Sequence, residues 1–129
     1  MIPGEQLPRA VLIVAESRPQ SGIEKKELRA RGIAVQCARS IKAASGLLES
    51  AHSGTLVITE LALRDGNWRD LVERVRSIGK FIPVVLLSST RTAELWWDAL
   101  ECGVEDILQA PLSASQLCEY VVKKVTKEK

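Results

Sequence analysis

Three polar side chains of this sequence stand at the ends of apolar runs, where two carboxylates and a hydroxyl could meet. Glu16 follows the apolar run 10–15, Glu60 follows the run 55–59, and Ser88 closes the run 83–88. Arg18, Arg64 and Arg91 stand a few residues beyond the ends of the same runs. Two carboxylates brought side by side repel unless a cation lies between them, and a guanidinium can bridge their oxygens in bidentate fashion. Such a pocket is closed by an arginine in place of a metal, or each arginine is solvated and the pocket is inert. The parts for other chemistry are missing. The single histidine, His52, falls late in a predicted helix, and no Gly-x-Ser-x-Gly elbow accompanies it. The turn after the first run, residues 16–22, lacks the glycine pattern of a phosphate loop or dinucleotide fingerprint.

Five apolar, β-branched runs must carry these residues: 10–15, 33–37, 55–59, 83–88 and 106–109. Three are continuous rather than alternating, which requires cover on both faces and hence a parallel sheet between helices. Segments of helical spacing separate the runs. The first spans about 21–31 and ends at Gly32; a second is capped by Ser40 and carries an apolar stripe of Ala43, Ala44, Leu47, Leu48 and Ala51. A third follows Asn67 with Leu71, Val72, Val75 and Ile78 before Gly79. The fourth starts at Thr92 or Arg91 and presents Leu95, Trp96, Ala99 and Leu100; the fifth is capped by Ser113, with Leu117, Tyr120, Val121 and Val125 along it. Strands and helices alternating this closely predict an α/β, doubly wound (βα)5 domain with strand order 2-1-3-4-5. Ligand chemistry in such sheets sits at the carboxyl ends of the strands, where Glu16, Glu60 and Ser88 fall.

A chain of 129 residues, 46% hydrophobic and 26% charged, is one soluble globular domain, read as an extension over 1–8 and a domain over 9–129. A formal charge of +2 gives no field for nucleic acid, and no apolar run is long enough to span a bilayer, which points to a cytoplasmic protein. Cys37, Cys102 and Cys118, odd in number and far apart, fit reduced thiols.

The runs and their loops resemble the receiver domains of two-component response regulators over nearly the whole chain, with their flavodoxin-like fold. The matching segments are residues 11–16, 55–66, 82–89 and 99–112. The resemblance implies a phosphoacceptor aspartate where this chain has Glu60, a magnesium-holding acidic pair where it has Ala15 and Glu16, and a phosphoryl-contacting hydroxyl matched by Ser88. It also implies a phosphoryl-contacting lysine where the chain has Ala110. Magnesium needs several oxygen ligands in near-octahedral array, and Ala15 supplies none. Phosphoryl transfer needs cationic groups around the equatorial oxygens, and Ala110 removes one. The extra methylene of Glu60 shifts its oxygens by roughly 1.5 Å, a misplacement that in-line displacement tolerates poorly. The expectation is a pseudo-receiver without magnesium or another cofactor, neither phosphorylated nor an enzyme. Glu60 either accepts a hydrogen bond from Ser88 and mimics the phosphorylated state, or lies in a drifted site.

Neighbouring helix residues point about 100° apart, so Trp96 and Trp97 are expected to be unequally buried, one facing solvent or a partner. In receiver domains the face of the fourth helix, fifth strand and fifth helix commonly carries dimer and partner contacts, which implies a protein partner or a homodimer there. Ile107 replaces the frequent aromatic switch of that strand, and Trp68 either covers the pocket's edge or packs on its loop. Two other readings are a working phosphoacceptor that uses a nearby residue such as Asp65, and a small-ligand or flavin-binding domain of the same topology.

Overall fold

The continuous apolar runs form the interior of a parallel sheet. The computed structural model describes residues 10–16, 26, 28–52, 54–90, 92–110 and 113–126. Strands β1 (Ala10–Val14), β2 (Ala34–Ala38), β3 (Leu56–Glu60), β6 (Val84–Ser88) and β7 (Asp106–Gln109) pair in the order β2-β1-β3-β6-β7, every pairing parallel. This is the predicted order for the five principal strands. Two further short strands, β4 (Ala62–Leu63) and β5 (Gly66–Asn67), make an antiparallel hairpin inside the loop after β3, which the sequence pattern does not announce. Burial follows position in the sheet. Central β1 and β3 are buried at all but one residue, whereas edge strand β2 alternates.

Four helices are bounded at both ends among the described residues: α1 (Ile41–Glu49), α2 (Trp68–Ile78), α3 (Ala93–Glu101) and α4 (Ala114–Thr126). Alternation along each strand divides the core into two layers. Leu12, Val14, Val57 and Leu86 face α1, α2 and α3, while Val11, Ile13, Leu56 and Ile58 face Leu117, Cys118 and Val121 of α4 together with Leu28. Of the helix expected over 21–31, Lys26, Leu28, Arg29 and Ala30 are helical; its remaining residues to 25 and Glu27 lie outside the described residues, as does the extension 1–8. None of the three cysteines forms a disulfide among the described residues.

The helices are fixed by caps. Ser40 Oγ accepts from the Ala43 N–H at 3.0 Å, and the Asp65 carboxylate accepts from the Ile41 and Lys42 N–H groups at 2.8 and 3.0 Å, so the first three amides of α1 are all satisfied. Lys80 Nζ donates to the Glu49 and Ala51 carbonyls at 2.8 and 2.6 Å, closing the other end of α1. Asn67 and Asp70 form a capping box on α2, Ser113 and Gln116 one on α4, and the Thr92 hydroxyl caps α3. Gly66 is required where it stands: at φ 153° a Cβ would lie 2.5 Å from Asp70 Oδ2 and 2.7 Å from Ile41 Cδ1. The hairpin therefore rests directly on the starts of α1 and α2. Trp68 is buried in this core, and its backbone N–H donates to the Leu61 carbonyl at 2.9 Å, so it packs on the loop after β3.

Candidate functional site

The parallel register brings Ala15, Glu16, Glu60, Ser88 and Ala110 to one end of the sheet, since Val14 pairs with Thr59, Glu60 with Leu87, and Ser88 with Gln109. Glu60 is the last residue of β3. Its Oε1 accepts the Glu16 N–H at 3.1 Å, so the carboxylate is turned toward the backbone at the end of β1. Ala15 is buried, and its N–H is committed to the Ala38 carbonyl at 3.0 Å.

An arginine does reach this end of the sheet, but it is none of the three anticipated. Arg39, the first residue after β2, donates from Nε to the Glu16 carbonyl at 3.4 Å. The Glu16 residue is thus held at both ends, its N–H by Glu60 and its carbonyl by Arg39. Arg64 is instead exposed in the hairpin turn beside Asp65. Arg18 and Arg91 lie outside the described residues. An arginine immediately past the end of β2, the strand beside β1, was the available signal for Arg39, but the loop after this edge strand carried no candidate of its own.

Ser88 departs from expectation. The hydrogen bond anticipated from its hydroxyl to Glu60 is not formed. The buried hydroxyl donates to the Thr90 carbonyl at 2.7 Å and accepts the Thr90 N–H at 3.0 Å. A serine two residues before available backbone groups closes such a ring at little entropic cost, and this local turn outcompetes a contact across strands. Ala110 sits beside it, its N–H bonded to the Ser88 carbonyl at 2.8 Å, and presents only a methyl group.

Asp65 is also engaged. The Ile41 N–H held against its carboxylate, helped by Lys42 and the charge of Arg64 and opposed by desolvation, keeps the Asp65 carboxyl below the usual carboxylate range. Both of its oxygens serve α1.

The fourth predicted helix, α3, exposes more than its pattern suggests. Ala99 is its buried residue, Trp96 and Trp97 are 42% and 63% exposed, and Leu100 is 49% exposed. Both tryptophan rings therefore face outward, and Trp96 and Leu100 do not join the buried stripe. Ile107, anticipated at the interface, is 7% exposed and reaches the surface as the floor of a groove of about 270 Å³, lined among the described residues by Thr92, Ala93, Trp96 and Ile107. Two arginines of α2 tie α3 down: Arg69 pairs with Asp98, and Arg76 donates to the Cys102 carbonyl.

A family model described as the response regulator receiver domain matches residues 11–122. The chain belongs to this family. Among proteins similar to this receiver domain, the two-component response regulator ORR3 of Oryza sativa subsp. indica is 31% identical over 119 residues, covering 88% of this chain and 91% of its own length. The transcriptional regulatory protein CusR of Escherichia coli K12 is 36% identical over 66 residues, or 51% of this chain and 29% of CusR. The chain spans 29% to 38% of the length of such bacterial regulators. Solved structures agree on the fold. A two-component response regulator from Clostridium difficile superposes with TM-score 0.77 at 24% identity, covering 92% of this chain and 96% of that one. The non-phosphorylated HemR receiver domain of Leptospira biflexa superposes with TM-score 0.76 at 22% identity, covering 95% and 97%. The protein is a receiver domain of two-component signalling with the flavodoxin-like sheet, and among its described residues no helix is long and apolar enough to cross a membrane.

Proposed function

We propose that this receiver domain signals without being phosphorylated, holds no magnesium, and acts through protein contacts on the face formed by α3, β7 and α4. The observation that carries the reading is the Glu60 carboxylate at the acceptor position, engaged by the Glu16 N–H at 3.1 Å. Around it, Ala15 and Ala110 replace the magnesium-binding acid and the phosphoryl-contacting lysine of the family. A magnesium ion needs about six oxygens at about 2.0–2.1 Å, and this donor set offers the carboxylates of Glu16 and Glu60, one of them already bonded. The residues do not fit the ion. With Ser88 turned to Thr90, no hydroxyl among the described residues donates to the Glu60 carboxylate, which favours an inert acceptor site over a mimic of the phosphorylated state. Asp65 is a poor substitute acceptor, because attack on phosphorus needs an oxygen that is now accepting a helix N–H.

The output face is supported by exposed Trp96, Trp97 and Leu100, since large apolar side chains left outside the core commonly anchor interfaces. The test is tryptophan fluorescence titrated with magnesium and then beryllofluoride, on the wild type and on a variant combining Ala15→Asp, Glu60→Asp and Ala110→Lys. The wild type stays silent and the restored variant responds. A magnesium-dependent response of the wild type overturns the reading.

A further inference from the structure

We infer that the exposed stripe of α3 seats a basic, amphipathic helix of another protein. The inference deepens the proposed role of this face and rests on it. Ala93, Trp96, Trp97 and Leu100 recur at the i, i+3, i+4, i+7 spacing of a single helix face, while Leu95, Ala99 and Cys102 occupy a different face, against the core. The helix is thus apolar on two sides. One side is covered, and the other presents two half-exposed to largely exposed indoles. An i, i+3, i+4, i+7 stripe is what a helix docked side by side reads.

The borders of the stripe differ, and this selects the occupant. Turning about 100° per residue places Glu94, Asp98 and Glu101 together on the border beyond Trp97, and Trp96 on the opposite border. Asp98 is neutralised by Arg69, but among the described residues neither Glu94 nor Glu101 takes part in an ion pair. On the Trp96 side lies the groove floored by Ile107. Its volume of about 270 Å³ suits an aliphatic anchor of a partner, falling just below the roughly 300–1,000 Å³ of small-molecule sites. A complementary helix therefore carries leucine-like residues along its centre, one directed into the groove, and lysine or arginine along the edge that meets Glu94 and Glu101. A second copy of α3 fits poorly. In antiparallel self-pairing like edges meet, which would set Glu94 and Glu101 against the same acids of the other copy, a repulsion of the kind that selects against wrong partners.

The probe is a fluorescein-labelled helical peptide of about five turns with leucines on one face and lysines on the other, compared with a leucine–glutamate counterpart, both followed by anisotropy. The chain carries a formal charge of +2, so attraction of the lysine peptide must be local. The lysine peptide binds and the glutamate peptide does not. Trp97→Ala weakens binding about 10-fold or more. Glu94→Gln with Glu101→Gln weakens it several-fold and flattens its salt dependence. Equal binding of both peptides, or affinity unmoved by the glutamate substitutions, overturns the inference. Sedimentation separates the two levels of the argument. Self-association abolished by Trp97→Ala overturns the basic-helix occupant but keeps the α3 face as an interface; failure of both peptides with no Trp97-dependent association overturns both.

Discussion

Helices α2 and α3 lie side by side on one face of the sheet, yet the protein holds them in place by different means. α2 buries Trp68, Leu71, Val72 and Val75, starts in a capping box and ends at left-handed Gly79. α3 buries Ala99 and is otherwise secured by its Thr92 cap, by half-buried Leu95, and by Arg69 and Arg76 reaching over from α2. Burial fixes the first helix and leaves little apolar surface over; the second keeps its largest apolar side chains outside. The difference separates a structural helix from one available to a partner. It also separates two regions of this domain: the carboxyl end of the sheet carries Ala15, Glu60 and Ala110, whereas large, exposed apolar side chains gather on α3.

The comparison breaks most visibly under truncation. Leu71→Ala, at a fully buried position, is expected to cost about 2–5 kcal/mol in chemical denaturation. Trp97→Ala, although it removes a larger side chain, is expected to stay within about 0.5 kcal/mol of the wild type. Equal losses would mean that α3 is as much a part of the core as α2.

Next in size is the anchorage of the acceptor loop. Asp65 has its folded-state carboxyl lowered, so its stabilising contribution is complete above the ordinary carboxylate range and is lost as pH falls through the lowered value. Asp65→Asn therefore lowers the melting temperature by a few degrees at neutral pH, and the gap to the wild type closes below about pH 4. A gap that persists in acid would show that the carboxylate's charge is not what caps α1.

The smallest effect concerns the tether. Arg69 and Asp98 are each close to half exposed, so a double-mutant cycle to alanine should give a coupling of about 0.2–1 kcal/mol, reduced by salt. A coupling of several kcal/mol would make the pair a principal support of α3.

The strands and their order were legible because each central strand is a continuous apolar run that only a covered parallel sheet accommodates. The placement of Glu60, Ala15 and Ala110 at one end of the sheet was legible from their distance to those runs, whereas the roles expected at those positions came from the family resemblance. Contacts that bind distant or competing groups were not. Asp65 reaches amides 24 and 23 residues earlier, and Ser88 chooses between a local turn and a cross-strand carboxylate. Neither choice has a periodic signature. The phase of α3 was illegible because Leu95, Trp96, Trp97, Ala99 and Leu100 are apolar almost all round the helix, and only the three-dimensional packing of Ala99 decides which side turns inward.

The most direct test of the central claim is intact-mass measurement after incubation with acetyl phosphate and magnesium, for the wild type beside the Ala15→Asp, Glu60→Asp, Ala110→Lys variant. A wild type that stays unmodified while the variant gains one phosphoryl group is the predicted result. A phosphoryl adduct on the wild type, whether on Glu60 or on Asp65, would contradict it.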